Sequence, residues 1–328
     1  MRTLDDTSDD VTDDRTDGSP EALTDPGWEV PPVPQEVPEG GMAWLRARVA
    51  RFSSGEAHAR RRALAAGALG GPEAAGVLRG AARVRAEALL RGPGPVEVMA
   101  RVARVVPAEV LAASLGAVAT TETAGLVGDV ARAYHAHGEA VPAADRALAR
   151  LVADFGGTWD EAAAARIGLL VQAYDATAGL IGSAAYALLA GDGAAEPRSG
   201  AGADLVAGLL DRVLCADPPV RGTFRAPVGG GDPVRVGLVA ADGSLAFGAG
   251  AHACPGRAHA RALAAGVLDA VRVRGCRLAG AGAGAGADTG RGHAGVADRA
   301  GQGGDHGGLA YLPSVNLRVP VALEVVCA

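Results

Sequence analysis

The sequence of 328 residues contains no lysine, and only 3% of its residues are aromatic. Without lysine, the chain cannot supply the phosphate-binding lysine of a Walker-type loop or a Schiff-base amine, so those two kinds of site are excluded. It also lacks a basic tract interleaved with aromatic residues, which argues against nucleic-acid binding. Alanine, arginine and the 49 glycines are abundant instead. This composition is typical of a high-GC bacterial genome, such as that of an actinobacterium.

Cysteine is scarce, and its spacing suggests no pairing. The four cysteines, Cys215, Cys254, Cys276 and Cys327, form no Cys-x-x-Cys motif. The acidic N-terminus has no charged-then-apolar leader of the kind that directs secretion. We therefore expect a cytoplasmic protein whose thiols are reduced.

Long uninterrupted hydrophobic runs are also missing. The longest apolar stretch, residues 167–190, contains Gln172 and Asp175. A carboxylate near the middle of a bilayer is costly, so this stretch predicts a buried helix rather than a membrane span.

The net charge of −6 is unevenly distributed. Residues 1–25 hold eight Asp, one Glu and two Arg, so this segment carries −7 and the rest of the chain about +1. Residues 1–30 lack an apolar period and predict a disordered acidic tail, with structure beginning near Met42. The Gly/Ala-rich residues 279–308 predict a flexible loop. The length allows one large domain or two ordinary ones.

The most informative stretch runs from Phe247 to Gly256, with the sequence Phe-Gly-Ala-Gly-Ala-His-Ala-Cys-Pro-Gly. It predicts a glycine hairpin that delivers Cys254 to the first turn of a helix, because Pro255 suits a first helical position. A thiolate there is stabilised by free amides and the helix dipole, which lowers its pKa. Gly248 and Gly250 would let the backbone approach a large flat group.

Two other interpretations of this stretch are open from the residues alone. Gly248 and Gly250 could belong to a dinucleotide-binding fingerprint, although the third glycine and a surrounding βαβ unit are missing. Cys254 could also be an ordinary small buried residue, which is the commonest fate of a free cysteine.

The pattern Phe-x-x-Gly-x-x-x-Cys-x-Gly, met by Phe247, Gly250, Cys254 and Gly256, resembles the heme-binding loop of the cytochrome P450 family. The resemblance implies heme b as cofactor, with Cys254 as the axial ligand of the iron, Phe247 shielding the sulfur and amides near Gly256 tuning it. It implies a mainly α fold with a small β portion, in a truncated cytochrome P450-like form. It also implies a single domain over residues 40–328.

Further matches extend the resemblance to the carboxylates of heme. His58 and Arg62 stand four apart and so share a helical face; they resemble the His-x-x-x-Arg of the family's C helix, which contacts the heme propionates. Arg225, five residues after a Pro-Pro-Val turn that ends at Val220, resembles another propionate-binding arginine. With His252, these residues would neutralise two carboxylates that are otherwise costly to bury. Outside the resemblance, the arginines around position 62 would be interpreted as a solvated basic face.

The apolar stretch around Asp175 resembles the family's long I helix, in which an acid followed by a threonine delivers protons to bound dioxygen. Asp175 matches the acid, whereas the alcohol position is occupied by Ala176 and Thr177 is displaced by about 100° around the helix. Ala173, Ala176 and Ala178 would leave room above the iron. The alternative is a buried helix with one satisfied carboxylate.

Two departures from the family pattern are evident. The Glu-x-x-Arg motif of the K helix should occupy residues 212–215, where this chain has Arg212 and Cys215. Only 21 residues separate Arg225 from Phe247, too few for the family's meander. The C-terminal residues 309–325 alternate like a strand pair and resemble the family's C-terminal hairpin.

The resemblance implies a heme-thiolate monooxygenase that acts on a specialised metabolite, with electrons from NAD(P)H through ferredoxin reductase and ferredoxin. Arg60, Arg61, Arg257 and Arg261 would attract an acidic ferredoxin, or would form a solvated surface. Two alternatives remain: a heme-thiolate enzyme that uses peroxide or catalyses a rearrangement without dioxygen, and a degenerate homologue that only binds. No membrane partner is expected.

Overall fold

The computed structural model describes residues 17–134, 141–191, 204–279 and 308–328. Helices account for most of them. In chain order they are α1 (Met42–Arg48), α2 (Gly55–Leu69), α3 (Pro72–Leu89), α4 (Val105–Ser114), α5 (Thr123–Tyr134), α6 (Pro142–Asp154), α7 (Glu161–Leu189), α8 (Leu205–Ala216) and α9 (Arg257–Val273). A short π-helical segment, Met99–Ala103, precedes α4. The predicted Gly/Ala loop falls almost entirely on residues 280–307, outside the described residues.

The described strands are short and belong to two small sheets. They are β1 (Asp17–Gly18), β2 (Trp28–Glu29), β3 (Pro95–Glu97), β4 (Gly222–Pro227), β5 (Val234–Gly237), β6 (Arg277–Leu278) and β7 (Glu324–Val326). One sheet has the order β1-β5-β4-β2, with a parallel β1–β5 pair and otherwise antiparallel pairs, and the other has the antiparallel order β3-β7-β6. The predicted class, mainly α with a small β portion, is confirmed.

Helix α7 is the central element of the fold, and its 29 residues pack against α2, α4, α5 and α9. Asp160 caps it, because its carboxylate accepts a hydrogen bond of 2.7 Å from the amide of Ala163. Gly179 allows close packing, since a Cβ there would lie 2.7 Å from the carbonyl oxygen of Arg318 and 2.9 Å from Cβ of Pro219. The stretch around Asp175 is thus a core helix, as predicted, and no helix in the described part of the chain is long and apolar enough to cross a membrane.

The predicted disordered tail is wrong for residues 17–30. Strands β1 and β2 flank a 3-10 turn at Pro20–Leu23, and Ala22 and Leu23 pack with Val236 and Leu238 in a small apolar cluster. Backbone pairing with β4 and β5 orders this acidic segment. Such pairing could not be predicted from the local composition, because the partner strands lie some 200 residues away in the sequence. Residues 1–16 lie outside the described residues.

The expectation of four reduced thiols is also wrong, because Cys276 and Cys327 form a disulfide. Cys276 directly precedes β6 and Cys327 directly follows β7, and these strands pair antiparallel with Arg277 opposite Val326. The strand register therefore places the two sulfurs together, whereas their 51-residue separation in sequence concealed the pair. Cys215 and Cys254 are free.

The C-terminal segment turns back on itself, as predicted, but with less regular pairing than two strands. Tyr311 and Pro320 form an isolated bridge, supported by a 2.9 Å hydrogen bond from the Leu312 amide to the Val319 carbonyl. Arg318, within this turn, is paired with Asp217, which follows α8. The segment therefore lies between α8 and the middle of α7.

Ion pairs join α3, α8 and α9 where the Glu-x-x-Arg motif is missing. Arg79 of α3 pairs with Asp204, which caps α8, and with Asp269 of α9 at 2.8 Å. Arg261 of α9 pairs with Asp211 of α8 at 2.6 Å. Arg212, in contrast, is exposed. Two arginines outside the motif thus hold the three helices together.

A close contact between α3 and α9 generates a stability prediction. Gly266 of α9 lies against α3, so a Cβ there would clash with the Arg79 carbonyl and lie 2.9 Å from Cβ of Ala82. We expect Gly266→Ala to lower the free energy of unfolding by about 1–3 kcal/mol in urea titrations. The matched control is Gly80→Ala in α3, where no atom lies within 4 Å of the added methyl group. A helical Ala there should be neutral or stabilising by up to about 1 kcal/mol, and equal losses in both variants would contradict the packing argument.

Candidate functional site

The loop before α9 holds Cys254 by backbone contacts. The Cys254 amide donates a 2.8 Å hydrogen bond to the Phe247 carbonyl, which closes the hairpin. Gly248 and Gly250 have φ values of 69° and 66°, in the left-handed region that favours glycine. At Gly250 the neighbour that excludes a Cβ is the carbonyl oxygen of Leu23. The N-terminal segment therefore also requires glycine here, and the approach of a large flat group to Gly248 and Gly250 stays a prediction.

The Cys254 side chain is exposed to solvent, yet burial raises its pKa. A sulfur in a concave recess can be exposed and desolvated at the same time, because protein surrounds it while one side stays open to solvent. The Gly256 amide donates a hydrogen bond to the sulfur and Arg62 lies nearby, and both oppose the shift without outweighing it. The predicted lowered pKa is wrong because desolvation outweighs these two contacts. In addition, α9 begins at Arg257 rather than at Pro255, so the sulfur lies before its first turn.

Two histidines predicted from the sequence meet next to this recess. The rings of His58, on α2, and His252, in the 3-10 turn Gly250–His252, have their centroids 4.0 Å apart. Burial lowers the pKa of His58, and Arg62 lowers it further. Burial, followed by the charges of His58 and Arg225, lowers the pKa of His252 to about 3. Both rings are therefore neutral at neutral pH.

Within the described part of the chain, the buried Nε2 of His58 has no hydrogen-bond partner. Such an atom is costly unless a ligand or water satisfies it. The histidine pair is therefore suited to a polar group.

Arg225 projects from β4 and is only 4% exposed. Its Nη1 donates a 2.9 Å hydrogen bond to the Phe224 carbonyl and lies 3.5 Å from Oγ1 of Thr223. Burial, followed by the charge of Arg51, lowers the pKa of Arg225 to about 10. The guanidinium is therefore still charged at neutral pH.

Arg51, Arg62 and Arg225 take part in no ion pair among residues 17–134, 141–191, 204–279 and 308–328. A buried or half-buried guanidinium without a counter-charge is strongly destabilising, so such groups are normally paired. Together with the two histidines, this anion-binding cluster (Arg51, His58, Arg62, Arg225, His252) fits a ligand with carboxylate groups. Four of its members were predicted from the sequence.

One face of α7 is open in the middle of the fold. All of residues 172–176 are half-buried or exposed, between buried residues on either side. Three of them lie on one helical face together with the half-buried Leu169, namely Gln172, Ala173 and Ala176. The predicted small residues Ala173 and Ala176 belong to this open face. Ala178 does not, because it is completely buried.

The predicted distal pair is separated rather than joined. Asp175 is half-buried, and its Oδ1 accepts a 3.2 Å hydrogen bond from Nε of Arg104, which follows the π-helical segment. Thr177 is buried, and its Oγ1 has no hydrogen-bond partner among the residues described. Positions two residues apart are separated by about 200° around a helix. The side chains of Asp175 and Thr177 therefore leave α7 on nearly opposite sides.

Most of the predicted docking arginines have local partners. Arg60 and Arg61 both bind Glu161 at 2.8 and 2.9 Å, and Arg61 is buried. Arg261 is paired with Asp211. Arg257 lies over the Phe247 ring, 5.3 Å from its centroid, and is exposed. Arg61 is therefore a structural residue, which corrects its assignment to a docking surface.

Arg51 is the member of the cluster that the sequence did not predict. It lies in a 3-10 turn, Ala50–Phe52, and its Nη1 is 3.5 Å from Oγ1 of Thr223 on β4. No motif marks this position, because the contact depends on how α2 and β4 come together.

The Asp175–Arg104 pair generates a prediction about its strength. Both side chains are largely buried, 28% and 17% exposed, so the pair is screened less than a surface pair. A double-mutant cycle of Asp175→Asn and Arg104→Met in urea should give a coupling free energy of about 1 kcal/mol. The control is Asp129–Arg132, whose side chains are 39% and 71% exposed and whose coupling should be near zero. Equal couplings would mean that burial does not strengthen the Asp175 pair.

Comparison with known proteins gives no match at the level of sequence: no family model matches the chain, and no curated protein matches it. Solved structures do match. P450BioI, in complex with an acyl carrier protein ligated with hexadec-9Z-enoic acid, is 17% identical with a TM-score of 0.66, covering 93% of this chain and 88% of that one.

Two further solved structures match the fold of the chain to a similar extent. CYP154A1 from Streptomyces coelicolor A3(2) is 18% identical with a TM-score of 0.65, covering 94% of this chain and 89% of that one. CYP109Q5 from Chondromyces apiculatus is 19% identical with a TM-score of 0.63, covering 89% and 82%. The predicted resemblance is confirmed at the level of the fold: the chain has the fold of the bacterial cytochromes P450, in a shortened form.

Proposed function

We propose that this protein is a heme-thiolate monooxygenase that oxidises a small specialised metabolite with electrons from ferredoxin. The observation that carries the proposal is the anion-binding cluster beside Cys254. Its three arginines have no carboxylate partner among the described residues, and the two histidines are held neutral. A cytochrome P450 fold implies a heme cofactor, and heme b brings two carboxylates together with an iron that a thiolate can bind.

The residues that would hold heme b follow from their positions. Cys254 would bind the iron as thiolate, and the Gly256 amide would reduce the charge on its sulfur. Arg62 and Arg225 would neutralise the propionates, and the neutral rings of His58 and His252 would hydrogen-bond them. Phe247, with Arg257 over its ring, would shield the thiolate side from water. Heme ligated in this way supplies the activation of dioxygen for insertion of one oxygen atom into a substrate bond.

On the other side of the site, the chain must deliver protons. Asp175 is the candidate, because it lies next to the open face of α7 and carries an acid that Arg104 holds in one orientation. Thr177 is the weaker candidate, since its hydroxyl is buried and Ala176 occupies the neighbouring position on the open face. We propose Asp175 as the proton carrier and Thr177 as a supporting hydroxyl.

Two fold neighbours support a natural product as the proposed substrate. One is complexed with a biosynthetic intermediate of aurachin RE and another is bound to epothilone B. We propose a natural product of similar size for this chain, and electrons from NAD(P)H through ferredoxin reductase and ferredoxin. Since Arg60, Arg61 and Arg261 have local carboxylate partners, Arg257 would contribute most to attracting an acidic ferredoxin.

One observation favours a second function. Ala176 removes the hydroxyl expected at the centre of the open face, so the chain is poorly equipped to protonate dioxygen twice. An enzyme that uses peroxide, or that rearranges its substrate without dioxygen, needs less of this relay. A chain that binds heme without turnover is the third possibility.

Thiolate ligation can be tested on the free cysteines. Full-length protein loaded with heme, reduced and exposed to carbon monoxide should show the red-shifted Soret band of thiolate ligation. Cys254→Ala should lose this band, because the proposed ligand is gone, whereas Cys215→Ala should keep it. Absence of the band in the wild type would overturn both enzyme functions, and its persistence in Cys254→Ala would mean that another residue binds the iron.

The proton carrier can be tested by turnover. Asp175→Asn should reduce ferredoxin-dependent NAD(P)H oxidation by about 10- to 100-fold, since asparagine keeps the shape but carries no proton. Thr177→Val should reduce it by a few fold, and Thr177→Ser should restore it. Full activity of Asp175→Asn would exclude that role. Wild-type product formation with peroxide alone, and none with ferredoxin, would establish the second function instead.

A further inference from the structure

Arg51 lies at a junction between the segment before α2 and β4. Its Nη1 is 3.5 Å from Oγ1 of Thr223, and its Cζ lies 5.9 Å from the centroid of the Phe52 ring. Its side chain is half-buried. The guanidinium is therefore held close to β4 rather than extended into solvent.

Arg225 approaches the same hydroxyl group. Its Nη1 is also 3.5 Å from Oγ1 of Thr223, so two guanidinium groups converge on one oxygen atom. Like charges this close repel each other, and burial of Arg225 increases the repulsion. Besides burial, the charge of Arg51 contributes to the lowered pKa of Arg225. A carboxylate between the two arginines would convert this repulsion into two charge-assisted contacts.

Arg51, Arg62 and Arg225 each carry a permanent positive charge. Arg225 is almost completely buried, so a carboxylate bound beside it would be stabilised further by a second guanidinium at this junction. Arg62 lies one helical turn from His58 on α2, whereas Arg51 and Arg225 both approach Thr223.

We propose that Arg51 is a carboxylate-binding residue, which brackets one heme propionate together with Arg225 beside Thr223. The other propionate is then bound by Arg62, His58 and His252. This assignment rests on the proposed heme function and adds a ligand contact that lies outside the His-x-x-x-Arg pattern.

Titration of the full-length chain with hemin, followed by Soret absorption, tests the assignment without turnover. Arg51→Gln should weaken hemin binding about tenfold, the loss expected for one charge-assisted contact. Arg51→Lys should bind hemin with an affinity between those of the wild type and Arg51→Gln, because lysine keeps the charge but not the planar fork. The control is Arg91→Gln, an exposed position after α3, which should bind hemin like the wild type.

Hemin dimethyl ester, whose carboxylates are blocked, separates ligand binding from a structural role. The wild type should bind hemin more tightly than the ester. Arg51→Gln should reduce this ratio of affinities about tenfold. If Arg51→Gln weakens hemin and ester equally, or weakens neither, the assignment is overturned while the heme function stands.

A separate readout applies if the wild type binds no hemin, which would overturn the proposed function. The melting temperature is then compared in phosphate and in chloride at equal ionic strength. If phosphate stabilises the wild type but not Arg51→Gln, Arg51 binds an anion other than a propionate. Stabilisation of both variants to the same extent would remove Arg51 from anion binding altogether. Either result overturns the propionate assignment.

Discussion

Positive charge buried without a counter-charge is the constraint on which the rest of the site depends. Arg225 is almost fully buried, Arg51 and Arg62 are half-buried, and none has a carboxylate partner within the described residues. The fold tolerates this arrangement because β4, α2 and the loop before α9 are each fixed by other contacts, such as the Cys254–Phe247 hydrogen bond. The three arginines keep their charge despite burial, whereas the histidine rings are neutral and can act only through hydrogen bonds.

The long helix α7 and its neighbours form the rigid frame around this cluster. Gly179 lets the C-terminal turn lie directly on α7, while Arg79 and Arg261 connect α3, α8 and α9. These pairs connect α8 to α3 and α9 in the part of the fold where the Glu-x-x-Arg motif is missing. Different residues thus hold these helices together in the shortened chain, and the middle of α7 is less buried than the residues on either side of it.

The sequence was most informative where function demands particular residues at fixed spacing. The positions of the loop from Phe247 to Gly256, of His58 and Arg62 and of Arg225 could be related to one another from the sequence, because helix and turn geometry connects spacing to position. Their roles toward a cofactor stay predictions. Arg51, the disulfide and the ordered residues 17–30 could not, since each depends on strands distant in sequence. The pKa of Cys254 was predicted with the wrong sign, because the helix begins two residues later than Pro255 suggests and desolvation outweighs the amide and Arg62.

The disulfide has a consequence for the integrity of the chain. Cys276 and Cys327 bracket residues 277–326, so everything between them belongs to a covalent ring closed by two paired strands. A single backbone cut inside that ring, for example by a protease, would leave β7 attached to the body through sulfur. The C-terminal turn that packs against α7 would then keep its anchor, and only a reductant would release it.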